Sequence, residues 1–120
     1  MFKNKRVSFP QKIFDQAVWD IVSNIKPGRV MSYGEVARAA GFPRHARMVS
    51  KALSRSETPL PWYRVVRSNR TLAFEVGSEA YRKQKGLLEK EGVQVNNGKV
   101  ILRESEEDVD LDKLLWGPPD

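Results

Sequence analysis

At 120 residues the chain has room for one small domain and little else. The absence of cysteine excludes disulfides, thiolate nucleophiles and thiolate zinc sites, and the single histidine, His45, excludes a multi-histidine metal centre, so neither cofactor nor metal is expected. The net charge of +6 hides an asymmetry: residues 103–120 hold seven acids and two bases, which leaves nineteen bases, eight acids and a net +11 on residues 1–102, a balance that points to a polyanionic partner, nucleic acid first.

In chain order, Ser8-Phe9-Pro10-Gln11 reads as a helix start, with serine as cap and proline in the first turn. Ile13, Ala17, Val18, Ile21, Val22 and Ile25 then recur at helical spacing until Pro27-Gly28 ends the run. Ser32-Tyr33-Gly34-Glu35 is a capping box opening a short second helix that Gly41 stops. After Pro43 a third helix is expected from about Arg44 to Ser54, with Met48, Val49, Ala52 and Leu53 as its apolar face, so the second and third helices form a helix-turn-helix. Tyr63–Val66 and Thr71–Phe74 read as two strands around a Ser68-Asn69-Arg70 turn, a hairpin serving as a wing. A fourth helix is expected from Ser78 to about Lys90. Asn96-Asn97-Gly98 then joins two further strands, Val93–Val95 and Lys99–Leu102. The tail beyond Arg103 is acidic, with Leu111, Leu114, Leu115 and Trp116 available to dock it.

Arg44, Arg47, Lys51 and Arg55 fall at i, i+3, i+7 and i+11, one basic face of the third helix opposite its apolar one. In a helix-turn-helix such a face neutralises phosphates, whereas a bland reading makes it solvated surface.

Pro61-Trp62-Tyr63-Arg64-Val65-Val66 resembles the proline-cysteine-histidine-arginine-valine motif of O6-alkylguanine-DNA alkyltransferases, with Trp62 at the alkyl-accepting cysteine and Tyr63 at the histidine. Replacement of that cysteine by tryptophan is the mark of the alkyltransferase-like proteins, and the chain is similar to them over residues 12–102. Ile25–Val30, Ser32–Ala37, Ala46–Val49 and Glu91-Gly92-Val93 carry the rest of the resemblance, in the same order. It implies a mixed α/β (α+β) fold, a winged helix-turn-helix DNA-binding domain over residues 8–102 followed by an acidic C-terminal tail, 103–120. It also implies a function: binding O6-alkylguanine in duplex DNA by base flipping, without catalysis, shielding the lesion from alkyltransferase and flagging it for nucleotide excision repair.

The resemblance assigns residues too. Arg47 matches an arginine finger that fills the hole left by the extruded base, and Tyr33 matches a tyrosine that crowds the 3′ phosphate and turns the nucleotide out. Trp62, Tyr33, Ser78 and Tyr63 would form the lesion pocket; Tyr33, Arg44, Arg47, Lys51, Arg55 and Arg70 would contact DNA. Residue pattern alone reads Tyr33 as a core aromatic and Trp62 as a packed indole. Glu91 and Arg64 are expected to be structural, and His45 to sit at the surface or a helix end. Glu75, an acid, stands where related wings carry a base, and Arg70 or Arg67 lies nearby to replace it. The implied partners are duplex DNA with O6-alkylguanine and the damage-recognition proteins of excision repair, met by a monomer with no membrane contact. No apolar run approaches the ~18 residues of a membrane span, and the basic start lacks the apolar stretch of a signal peptide. The expected location is therefore cytoplasmic, on the nucleoid in a bacterial cell. The rival reading is a sequence-specific winged-helix transcriptional regulator without a lesion pocket.

Overall fold

The computed structural model describes residues 9–101. The Ser8 cap, Leu102 and the acidic tail lie outside the described residues. Helix α1 spans Gln11–Ser23 and begins after Pro10, its buried stripe being Phe14, Asp15, Val18 and Val22. A two-residue strand β1, Met31–Ser32, leads into α2, Tyr33–Ala39. The capping box forms as the sequence requires: Ser32 Oγ accepts from the Glu35 N–H at 3.0 Å, and Glu35 Oε1 accepts from the Ser32 N–H at 2.8 Å. Two orphan donors of the helix start are thereby satisfied.

Gly41, at φ +93°, turns the chain out of α2. The third helix starts later than the periodicity indicates. A 3-10 turn occupies Ala46–Met48 and α3 only Val49–Ser54. The delay has a packing cause. The His45 ring stacks on Phe9 at 4.8 Å and meets Phe42 edge to face at 5.9 Å, so residues 42–45 are spent on an aromatic cluster over α1 rather than on helix. His45 therefore stands at a helix end, but in that cluster rather than at the open surface.

A second 3-10 turn, Trp62–Arg64, runs into strand β2, Val65–Val66. The expected hairpin between 63–66 and 71–74 does not form. Strand β2 pairs in parallel with β1, Met31 opposite Val65 and Ser32 opposite Val66. Both valines are fully buried, as suits a parallel strand covered on both faces. Successive strand residues point to opposite faces, so Val65 joins the cluster of α1, α2 and α3 while Val66 joins a second one with Leu72, Tyr81, Leu88, Val93 and Val100. The wing segment keeps one bond across its turn, from the Arg67 N–H to Thr71 O at 2.9 Å, and beyond it bonds elsewhere: the Leu72 N–H donates to Gly98 O and the Val100 N–H to Arg70 O. Helix α4, Glu79–Lys90, is capped by Ser78 Oγ, which accepts from the Tyr81 N–H at 3.1 Å. Strands β3, Gln94–Asn96, and β4, Lys99–Ile101, pair antiparallel around Asn97 (φ +52°) and Gly98 (φ +82°), the two positive-φ residues a type I′ hairpin requires. Among the described residues the result is a mixed α/β fold of four α-helices and two small sheets.

Candidate nucleic-acid interface

Between the helix-turn-helix and the loop after β2 lies an open cavity of about 550 Å3, lined by Tyr33 and Gly34 of α2, Ala46, Arg47 and Ser50 of the recognition segment, and Arg67, Ser68, Ala73 and Phe74 of the loop. Tyr33 is half-buried at the first turn of α2, and burial pushes its phenol pKa up while the nearby Arg67 cation opposes the shift. The hydroxyl is thus neutral at physiological pH. Arg47 is exposed on the 3-10 turn and has no ion pair or hydrogen bond among the described residues.

The four expected bases do not make one helical face. Arg44 lies in the turn, Arg47 on the 3-10 segment and Lys51 on α3, all exposed. Arg55 follows α3 and forks onto Asp15 of α1, Nε to Oδ2 at 2.7 Å and Nη2 to Oδ1 at 2.9 Å. A bidentate pair with a buried carboxylate spends both charge and geometry, so Arg55 clamps α3 to α1 instead of joining the groove. Arg70 is likewise engaged, 3.3 Å from each Glu35 carboxylate oxygen. Burial alone would raise the Glu35 pKa, but the Ser32 N–H and the Arg70 guanidinium outweigh it and hold the carboxyl below its usual range. The loop base that lines the cavity is Arg67. It also donates to Ala73 O at 3.2 Å, closing the loop on itself.

Trp62 adjoins this cavity through Phe74. Its indole meets the Tyr63 ring edge to face at 5.7 Å and the Phe74 ring at 6.2 Å. Of the four residues expected to form the pocket, only Tyr33 lines the cavity; Trp62 reaches it through Phe74, while Tyr63 and Ser78 lie outside its lining. Glu75, the acid of the loop, is exposed.

Two polar side chains set the position of Trp62. Glu91, just past α4, accepts from the Gly28 N–H at 3.0 Å, from the Tyr63 hydroxyl at 2.9 Å and from Arg64 Nε at 3.0 Å, while Arg64 Nη1 donates to Ile25 O at 2.7 Å. Three chain segments thus meet on one carboxylate. The Arg64 guanidinium holds the Glu91 pKa below the usual range against the pull of burial, with Gly28 and Tyr63 adding to the effect. Burial and the bond to Glu91 raise the Tyr63 phenol and keep it a donor. Gln84, fully buried, donates to Tyr63 O and Val65 O and accepts from the Ala73 N–H, each at 3.1 Å, tying the Trp62 turn and the loop to α4. Its signal in the sequence is a glutamine on the apolar face of α4, three residues after Tyr81 and four before Leu88.

The Glu91 network makes stability acid-sensitive. A carboxyl whose folded pKa is depressed stabilises the fold above its unfolded value, near 4.3, and that contribution is lost as pH falls through the lowered folded value. Glu91→Gln is expected to cost about 1–3 kcal/mol at neutral pH, since it removes the charge beside a mostly buried guanidinium. Denaturant titrations should show the gap to the natural chain narrowing near pH ~3; an equal gap at both pH values would remove the carboxylate charge from the account.

Comparison with known proteins bears on what this interface is. Residues 13–93 match the 6-O-methylguanine DNA methyltransferase, DNA binding domain family. Alkyltransferase-like protein 1 of Schizosaccharomyces pombe is 36% identical over 107 residues, 88% of this chain and 95% of that protein. The DNA base-flipping protein of Escherichia coli is 39% identical over 114 residues, covering 93% and 77%. Among solved structures, S. pombe Atl1 in complex with damaged DNA containing O6-carboxymethylguanine superposes with a TM-score of 0.67 at 37% identity, over 79% of this chain and 93% of that one. With a helix-turn-helix, a tyrosine and an arginine sharing one groove, and tryptophan at the position of the alkyl-accepting cysteine, the chain belongs to the 6-O-methylguanine DNA methyltransferase DNA-binding domain family and stands within it among the alkyltransferase-like proteins.

Proposed function

We propose that this protein binds O6-alkylguanine in duplex DNA, turns the modified base out of the stack and holds it without removing its substituent. The observation that carries the reading is that Tyr33 and Arg47, one from each arm of the helix-turn-helix, line a single cavity of about 550 Å3. Rotating a nucleotide out of a duplex costs a few kcal/mol, less when its pairing is already weakened by alkylation. Tyr33 supplies bulk that crowds the target phosphate, and the free guanidinium of Arg47 enters the vacated space, where a planar cation stacks on the neighbouring bases. Arg44, Lys51 and Arg67 neutralise the backbone on either side. An indole neither displaces nor accepts an alkyl group under these conditions, so the lesion stays intact. The bound monomer shields the lesion from alkyltransferase and presents it to the damage-recognition proteins of nucleotide excision repair, in the cytoplasm or on the nucleoid.

Two duplexes identical except for one O6-methylguanine test this. The modified duplex is expected to bind at least about tenfold more tightly. Log affinity should fall with log salt at a slope on the order of −3, the value for about three phosphates neutralised. The recovered oligonucleotide keeps its mass. Equal affinity for the two duplexes would overturn the reading and favour a sequence-specific regulator.

A further inference from the structure

Phe74 is the large apolar side chain of the cavity that the fold leaves to solvent, 40% exposed among otherwise polar or small neighbours. It contributes to neither apolar cluster of the core. Its backbone is nonetheless held on both sides: the Ala73 N–H donates to Gln84 and Ala73 O accepts from Arg67, while Gly77 O accepts from Arg82 Nη1 at 2.7 Å and the Ser78 N–H bonds to Glu75 O at 3.0 Å. The ring is the outer member of an edge-to-face row, Tyr63 to Trp62 to Phe74, anchored at its inner end by the Tyr63 hydroxyl on Glu91. An exposed phenyl ring held in place at a cavity wall is a surface prepared for an apolar ligand group.

We infer that Phe74 is the specificity-determining residue of this cavity, the wall against which the O6 substituent of the extruded guanine packs, with Trp62 as its backing. The inference rests on the base-flipping reading and deepens it. Its chemical content is that affinity follows the apolar size of the substituent, because each added carbon buries more area against the ring.

The test compares the full chain and its Phe74→Ala, Phe74→Leu and Trp62→Ala variants on duplexes carrying guanine, O6-methylguanine or O6-benzylguanine at one position, with thermal melts to confirm folding. Phe74→Ala is expected to weaken binding of the methyl duplex about fourfold and of the benzyl duplex more than about tenfold, with a smaller loss on the unmodified duplex than on either. Phe74→Leu recovers most of the loss. The Phe74→Ala, Trp62→Ala double variant discriminates no worse than the weaker single one, as expected for two residues acting as one wall. Equal weakening on all three duplexes would make Phe74 a wedge in the DNA stack and overturn the inference. So would undiminished discrimination in Phe74→Ala, for the benzyl duplex as for the methyl one, when Trp62→Ala has lost it. If the natural chain itself binds the three duplexes equally, the base-flipping reading fails with it.

Discussion

Replacing Arg47 with alanine is expected to weaken binding to an O6-methylguanine duplex by on the order of tenfold to a hundredfold, the worth of stacking one planar group on nucleobases. Arg47 is exposed and without intramolecular partners among the described residues, so the substitution removes a ligand group and leaves the fold alone. Arg55→Ala is the instructive contrast. It would strand the buried Asp15 carboxylate and act on stability first. Parallel titrations and melts separate the two. An Arg47→Ala protein with unaltered affinity would remove the finger from the account. Arg47→Lys should rescue only part of the loss, since an ammonium carries the charge but not the plane.

Trp62→Ala is the second large effect. Preference for the modified over the unmodified duplex should fall about tenfold, while affinity for the unmodified duplex changes less than about threefold. The indole meets the rings of Phe74 and Tyr63 edge to face and carries no charge, so its loss is expected to remove the wall and spare the electrostatic grip. Competition titrations read both quantities at once. A uniform loss across both duplexes would mean that Trp62 supports the fold and does not discriminate.

Local chemistry was the legible part of this structure. The capping box at Ser32 and Glu35 and the Asn97-Gly98 turn depend on residues within three or four positions of one another, and both appear where the pattern places them. What failed to show was pairing over distance. Tyr63–Val66 is rich enough in aromatic and β-branched residues to read as one arm of a hairpin, yet the partner of Val65-Val66 is Met31-Ser32, and the reason is the burial of both valines. Thr71, read as the opposite arm, bridges Lys99 instead. The basic stripe at 44, 47, 51 and 55 assumed one continuous helix. The 3-10 start divides it, and Asp15, forty positions away, takes Arg55. Only the resemblance singles out Tyr33 and Trp62, since on residue pattern one is the first-turn aromatic of a core helix and the other an indole packed between Pro61 and Tyr63. Phe74 reads as a strand residue, and only the loop's three-dimensional course puts it on the cavity wall. Glu91 reads from the sequence as structural, and its place at the junction of Gly28, Tyr63 and Arg64 gives that role a geometry.

A crystal structure of the protein on a duplex with one O6-methylguanine tests the central claim most directly. The account predicts the modified base rotated out of the helix, its methyl group toward Phe74 and Trp62, and the Arg47 guanidinium in the gap it leaves. A modified guanine still stacked and paired within the duplex would contradict it.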